Sequence, residues 1–461
     1  MESGRCGGTG ELEEISRHPC YNEEAHRYFA RMHLPVAPAC NIQCRYCNRK
    51  FDCVNESRPG VVSEVLTPEQ AAQKAVGVAA QLMQLSVVGI AGPGDPLANA
   101  DRTFETFRKV RSRVPDVSLC LSTNGLTLME HLDDIEELGI RHVTITINAI
   151  DPDIGSDIYS WVYDSGIRYE GREAAELLIS RQLAGLKALC ERGVLCKVNS
   201  VLIPGVNDTH LPAVSRTVKS LGAAIHNVTP LIVAPGSPYE QEGRRAPRPK
   251  ELHALQEICG GEGMKIMRHC RQCRADAIGL LGQDRSADFT WEKIEQAPPL
   301  NPEAREQLQA SLEEKVRQRM NRRRDRESRP SDDTQASRVM TTVAVASRGA
   351  GKVNLHFGHA QEFMIYESDG EVLKFIGIRK VQSYCHGRAD CNGDKEETLR
   401  EICSILKDCQ VLLCSGIGDH PRKTLQCCGI TPLVRKGDAE ALILESAKYS
   451  NYFQNTPISK G

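Results

Sequence analysis

Residues 34–53 read LPVAPACNIQCRYCNRKFDC. Cys40, Cys44 and Cys47 stand in a C-x3-C-x2-C spacing, with Tyr46 directly ahead of the last thiol. A structural zinc site takes four ligands, usually as two pairs, and an ordinary 4Fe–4S cluster is also held by four thiolates. Three thiolates this close can hold one metal centre and leave one iron open, where a small chelating molecule binds. The loop follows an apolar run, LPVAPA, and a helical pattern begins at T-P-E-Q after Thr67, an N-cap threonine with Pro at the first helical position and Gln70 placed for a capping box.

Outward from this stretch, five more apolar runs read as strands: VVGIAG, VSLCLS, HVTITIN, VLCKVNSVLI and AIHNVTPLIV. Helical segments lie between them. Six strands alternating with helices imply βαβ units and a parallel α/β sheet, open or closed into a partial barrel. Alternation along the strands is informative. Val117, Leu119 and Leu121 oppose Ser118, Cys120 and Ser122, and Val143, Ile145 and Ile147 oppose Thr144, Thr146 and Asn148. The apolar faces should meet helices. The small polar faces should line an interior that is hollow, where an ordinary barrel is filled by branched side chains. Several segments follow strand ends and should converge on one mouth with the cysteine triplet: Gly92-Pro93-Gly94-Asp95, Ser122-Thr123-Asn124, and Asn148.

The remaining composition narrows the class. The chain has 461 residues, with 58 Lys+Arg against 60 Asp+Glu and a net charge of −2, which speaks against a nucleic-acid binder. No apolar stretch reaches bilayer length, and residues 1–19 lack the apolar core of a signal peptide, so a cytoplasmic location without a membrane role is expected. Nineteen cysteines are far more than such a location uses for disulfides. Metal or redox chemistry is the natural reading. Cys53 follows the triplet, and Cys270 and Cys273 form a C-x2-C pair in HCRQCRAD; a pair needs one or two more ligands, and Cys53 is a plausible partner. Cys20 and His33 flank the entry to the first strand, and neutral imidazole is a competent iron ligand.

Four segments are expected: an N-terminal ligand-bearing extension over 1–33, a barrel over 34–300, a charged helix and linker over 301–339, and a small α/β domain over 340–461. Residues 302–329 read as a solvated helix running into a linker near 328–338.

The triplet with its aromatic, and the glycine segment after VVGI, resemble the radical S-adenosylmethionine (SAM) superfamily. That resemblance implies a partial (β/α)6 barrel of TIM type, a 4Fe–4S cluster whose open iron chelates SAM, and cleavage of SAM to a 5′-deoxyadenosyl radical. Over roughly residues 18–290, the segments HPCYNEEAHRYFARMHLPVAPACNIQCRYCNRKFDCVNESRPG, AGPGDPL, STNGL, TINAID and HCRQCRAD together resemble the NifB family, which builds the iron–sulfur precursor of the nitrogenase cofactor.

The resemblance implies three 4Fe–4S sites. Cys40, Cys44 and Cys47 match the SAM-binding cluster; Cys20, His33 and Cys120 match one substrate cluster; Cys53, Cys270 and Cys273 match the other. Tyr46, Glu56, Arg58, residues 92–95, Ser122, Thr123, Asn124 and Asn148 match positions around SAM, with Glu56 also in a catalytic role as part of an E-x-R-P motif. The implied reaction fuses two 4Fe–4S units with a SAM-derived carbide and one extra sulfur into an eight-iron product. Implied partners are iron–sulfur cluster donors, nitrogenase cofactor carrier or scaffold proteins, and an electron donor such as ferredoxin or flavodoxin. The 340–461 segment resembles small RNase H-like carriers of cofactor intermediates, with His356, His359, Cys385 and His386 as reversible contacts. A different radical SAM enzyme with auxiliary clusters, and a non-catalytic iron–sulfur scaffold, are the competing functions. The other cysteines (Cys6, Cys190, Cys196, Cys259, Cys403, Cys409, Cys414, Cys427 and Cys428) read as core or incidental thiols.

Overall fold

A computed structural model describes residues 15–53, 62, 64–261, 263–270, 273–281, 285–327, 340–348, 352–370, 373–384 and 395–455. The chain forms two compact units, Met1–Met320 and Asn321–Gly461. In the first unit the strands in chain order are β1 (Ala30–His33), β2 (Ile42–Cys44), β3 (Leu85–Ile90), β4 (Ser118–Thr123), β5 (His142–Thr146), β6 (Tyr159–Asp164), β7 (Ile167–Glu170), β8 (Leu195–Leu202), β9 (Ile225–Pro230) and β10 (Ile278–Gly279). Helices α1 (Pro68–Gln81), α2 (Ala100–Arg113), α3 (Leu132–Glu137), α4 (Gly171–Glu191) and α5 (Leu211–Ser220) alternate with the main strands. The main sheet runs β10-β1-β3-β4-β5-β8-β9. The pairs from β1 through β9 are parallel, and β10 closes the β1 edge antiparallel. This is the parallel six-strand arrangement expected of a partial barrel.

The capping box at α1 forms as expected: Gln70 N donates to Thr67 Oγ1 at 3.3 Å and Thr67 N to Gln70 Oε1 at 2.9 Å. Two expectations change. LPVAPA is not a strand. Pro35 and Pro38 have no N–H for a ladder, so the first strand ends at His33, and residues 34–39 continue as a loop beside the end of β3. β1 therefore lies inside the segment expected as an extension.

The charged helix is also not solvated on every face. Helix α6 (Pro302–Glu327) carries Arg305, Leu312 and Val316 at 1%, 3% and 0% exposure. Leu308, Leu312, Val316 and Met320 recur every four residues and pack on Ala25, Tyr28 and Phe29. Arg305 donates to Asp116 at 2.9 and 2.6 Å and to the carbonyls of Ala79 and Leu85, both at 2.9 Å.

A small antiparallel sheet, β2-β6-β7, clasps the cysteine loop, with Cys44 opposite Tyr159. Its hairpin turns at Ser165 and Gly166, both with positive φ (50° and 82°). That is the backbone twist a two-residue hairpin requires.

The second unit holds β11 (Thr341–Val345), β12 (Lys352–Val353), β13 (Glu362–Ser368), β14 (Leu373–Lys380), β15 (Val411–Cys414) and β16 (Thr431–Val434), with helices α7 (Lys395–Ile405), α8 (Asp419–Cys427) and α9 (Ala439–Asn455). Its five-stranded sheet runs β14-β13-β11-β15-β16. A three-strand antiparallel meander is followed by two parallel strands, which is the RNase H-like order.

Candidate active site

Register fixes which side chains face the inside of the curved sheet. His33 pairs with Gly89, Gly89 with Cys120, and Cys120 with His142. One step along, Ser122 pairs with Thr144 and Thr144 with Lys197; then Thr146 pairs with Asn199 and Asn199 with Asn227. Side chains alternate faces along each strand, so these groups share the inner face. Leu119, Leu121, Val143 and Ile145 take the outer one and are buried there at 0–1% exposure. Most of the inner-face groups are polar, as the alternation predicts, with apolar Val87, Leu195 and Ile225 also among them.

At the strand ends the triplet meets the glycine segment. Ala37 N donates to Gly92 O at 3.2 Å, Gly94 N to Ala37 O at 2.6 Å, and Asp95 N to Ala39 O at 2.8 Å. A Cβ on Gly94 would stand 2.1 Å from the Ala39 carbonyl oxygen, so only glycine permits this approach. Asn99 bonds both backbone groups of Ala39, at 3.2 and 2.9 Å. The chain immediately before Cys40 is thus pinned from two sides. A cleft of about 420 Å³, open to solvent, is lined by Cys40, Cys44, Tyr46, Cys47, Arg49, Cys53, Gly94, Asp95, Ser122, Thr123, Asn124 and Thr146.

Asp95 caps the turn Pro96–Asn99 through Leu97 N and Ala98 N at 2.9 and 3.3 Å, and accepts from Thr123 Oγ1 at 3.0 Å and Asn124 N at 2.6 Å. Burial pushes its carboxyl above the ordinary range, although these donors pull the other way. It therefore ties two strand ends together as well as lining the cleft. Asn124 donates to Asn41 at 2.7 Å and reaches Cys40 Sγ at 3.9 Å. Asn148 stands behind the cleft, donating to the Tyr46 hydroxyl at 2.8 Å and accepting from Val201 N at 2.8 Å. Burial pushes the Cys40 thiol up to about 12 and raises Cys47. Thiols of this kind give up their protons on binding metal.

The other candidate ligands lie deeper. Cys20, Cys270 and Cys273 pack on one apolar cluster of Tyr21, Leu195, Ile225, Met267 and Leu281. Arg31, on the inner face at 1% exposure, donates to Cys273 Sγ at 3.2 Å. Burial pushes the Cys20 thiol up to about 11. His33 Nδ1 lies 3.0 Å from Arg274 O, and burial holds the imidazole neutral, its pKa brought down to about 4. Cys53 N donates to Pro93 O at 2.9 Å, which seats Cys53 at the cleft.

The structure thus brings Cys20 to Cys270 and Cys273, His33 towards Cys120, and Cys53 to the triplet. Among the described residues no three ligand side chains converge as one metal ion would need. A cluster makes no such demand, because each thiolate takes a different iron. None of the described cysteines forms a disulfide; Cys196, Cys259, Cys403, Cys409 and Cys414 are buried as core thiols. Glu56 and Arg58, with Ser57 and Pro59, lie outside the described residues, as do Cys6, Cys385 and His386. In the second unit His356 and His359 are both exposed, with ring centroids 5.5 Å apart.

Sequence reasoning missed Arg31, Arg49, Lys197 and His142. For His142 and Lys197 the signal was present: the same two-residue alternation, carried one step back from Thr144 and applied to LCKVN, puts both on the inner face.

The model of the radical SAM superfamily matches residues 34–218, and that of the dinitrogenase iron-molybdenum cofactor family matches residues 340–448. FeMo cofactor biosynthesis protein NifB of Herbaspirillum seropedicae is 51% identical over 426 residues, covering 92% of this chain and 80% of that one. The Azotobacter vinelandii protein of the same name is 50% identical over 449 residues, covering 93% and 89%. The chain belongs to the NifB family. As a NifB-family member it is a radical SAM enzyme, and that fold implies SAM and a 4Fe–4S cluster. The donor set fits them: Cys40, Cys44 and Cys47 stand on a pinned loop and line the cleft, Cys44 and Cys47 buried and Cys40 half-buried. Among the described residues no helix is long and apolar enough to cross a membrane.

Proposed function

We propose that this chain builds the iron–sulfur precursor of the nitrogenase iron–molybdenum cofactor. Two 4Fe–4S substrate clusters are fused, a carbon from SAM becomes the central carbide, and an additional sulfur completes an eight-iron product. The observation that carries this reading is a surplus of donors in the first unit: Cys20, His33, Cys120, Cys270 and Cys273 exceed what a SAM-binding cluster uses.

Cys40, Cys44 and Cys47 hold the SAM-binding cluster, which when loaded supplies the electron that cleaves SAM. Tyr46, residues 92–95, Ser122, Thr123 and Asn124 shape the SAM cleft; Asn148 acts through Tyr46, and Glu56 and Arg58 complete the surround. Cys20, His33 and Cys120 take one substrate cluster, and Cys53, Cys270 and Cys273 the other, giving three clusters in all. A cargo that must leave suits ligation that includes an imidazole, which is displaced more easily than a thiolate. The protein's part is binding, orientation and exclusion of water and oxygen. The 340–461 domain holds cofactor intermediates reversibly, with His356 and His359 as contacts beside Cys385 and His386. Cluster donors, cofactor carrier proteins and a ferredoxin or flavodoxin are the partners, in the cytoplasm.

The test is anaerobic reconstitution with iron and sulfide, then dithionite and SAM. About twelve irons per chain, with both 5′-deoxyadenosine and S-adenosylhomocysteine, is the expected result. About four irons with 5′-deoxyadenosine alone identifies a simpler radical SAM enzyme, and iron with neither product identifies a carrier.

A further inference from the structure

The row His33, Gly89, Cys120, His142 crosses four adjacent strands at one level of the inner face. Two imidazoles and a thiol flank a residue with no side chain. A Cβ on Gly89 would meet the His33 ring at 3.3 Å and Cys120 Cβ at 3.6 Å, so the notch at Gly89 opens between those two groups.

His142 is 2% exposed, and neither of its ring nitrogens has a hydrogen-bond partner. Its ring is held in place by packing, 4.3 Å from His18 and 4.8 Å from Tyr21. Tyr21 is itself fixed, its hydroxyl donating to the carbonyls of Val143 and Leu195, both at 3.1 Å. Buried polar groups in folded proteins almost always find a partner. A histidine kept for packing alone resembles His226, on the outer face, which bonds Ser200 Oγ at 2.9 Å. His142 has no such bond, and it stands beside a cysteine.

We propose that His142 is an additional protein ligand to an iron of the substrate cluster held at Cys120, contributing its imidazole from the strand next to that thiol. The inference rests on the reading of this chamber as a substrate-cluster site. With Cys20, His33 and Cys120 it gives that cluster four donors, two of them exchangeable imidazoles. Such ligation would make His33 and His142 the exchangeable holders of the cluster and Cys20 and Cys120 the retaining ones.

The experiment uses the full chain, labelled with [15N]histidine, reconstituted anaerobically with iron and sulfide and reduced. Pulsed EPR counts the histidine nitrogens strongly coupled to the clusters. Wild type shows two. His142→Phe, which keeps an aromatic ring against His18 and Tyr21, shows one, and loses iron to a chelator about tenfold faster or more. His142→Cys also shows one strongly coupled nitrogen but returns chelation to the wild-type rate, which a purely structural role does not predict.

Identical nitrogen couplings in wild type and His142→Phe overturn the proposal. So does a His142 coupling of the weak kind that a hydrogen bond to sulfide gives, or a His142→Cys variant that sheds iron as fast as His142→Phe. Wild type that binds no more than about four irons overturns the cluster-fusion reading together with this one. Wild type with about twelve irons and an unchanged variant spectrum overturns the role of His142 alone.

Discussion

Gly94→Ala tests the link between the glycine segment and the cysteine loop. The added methyl would lie 2.1 Å from Ala39 O, 2.6 Å from Ala39 C and 2.7 Å from Pro38 O, all of them backbone atoms. One of the two segments must move by roughly 1 Å to restore ordinary contact. Three backbone hydrogen bonds join them, from Ala37 N, Gly94 N and Asp95 N. Each is worth about 1 kcal/mol net, and overpacking costs about 1–3 kcal/mol. The chain relieves one at the expense of the other, so the expected loss is about 2–4 kcal/mol. For a unit of this size that is a fall of roughly 5–10 °C in the midpoint of thermal unfolding.

The same shift displaces the residues directly before Cys40. Iron per chain should therefore fall by about four, and SAM cleavage should be lost. Scanning calorimetry, iron determination and 5′-deoxyadenosine release measure the three effects. Gly261→Ala is the control, because its methyl would meet its nearest neighbour, the Ile258 carbonyl oxygen, at 3.4 Å, an ordinary contact. A Gly94→Ala protein that melts within about 1 °C of wild type refutes the steric argument. One that melts early yet cleaves SAM at the wild-type rate refutes the coupling between this backbone pairing and the triplet.

Arg305→Ala removes a donor from the Ala79 carbonyl and leaves Asp116 and the Leu85 carbonyl with Gln309 Nε2, at 3.2 Å to each; with the Asp116 side chain 35% exposed, the expected cost is about 1–3 kcal/mol, read as a lower denaturant midpoint with SAM binding retained. Burial brings the His226 pKa down from 6.5 to about 4. The folded state therefore resists a proton that the unfolded chain accepts, so stability is full above pH 6.5 and falls as the pH drops towards 4. Between pH 7 and 5 this group alone accounts for about 2 kcal/mol, and in the metal-free protein His226→Asn should flatten the pH–stability curve by that amount in denaturant titrations. Cys270→Ala should remove about four irons while reductive SAM cleavage survives; unchanged iron content refutes its place in a cluster.

The parts of the fold that were legible are those governed by periodicity and local capping. The strand runs from VVGIAG onward, the Thr67 cap and the polar inner face all follow from spacing. LPVAPA misled because apolar composition outweighed two prolines, each lacking a ladder donor. In 302–327 the charges masked a four-residue stripe of Leu308, Leu312, Val316 and Met320, and no local pattern announces that Arg305 will find Asp116, 189 residues away. The β6–β7 hairpin was signalled by Ser165-Gly166 between alternating residues, but its pairing with β2 is a long-range event.

The triplet was legible because its three thiols are close in sequence. Cys20, His33, Cys120 and Cys270 are far apart in sequence, so no local pattern groups them; their grouping came from a family resemblance. His142 follows from the strand alternation, two residues before Thr144 on the same face.

The row that carries His33, Gly89, Cys120 and His142 makes the sheet a ruler. Neighbouring strands stand about 4.8 Å apart in the hydrogen-bonding direction. His33 and Cys120, two strands apart, are therefore set about 10 Å from each other across a glycine, and His142 is one pitch further on. The spacing of the donors is written in backbone hydrogen bonds, not in side-chain packing. A single residue inserted into β4 ahead of Cys120 would turn its thiol to the helix side, leaving the fold recognisable and the gauge broken. Point substitutions elsewhere on the inner face change what the chamber touches. Insertions and deletions in these strands change what it measures, and they should be the least tolerated changes in the first unit.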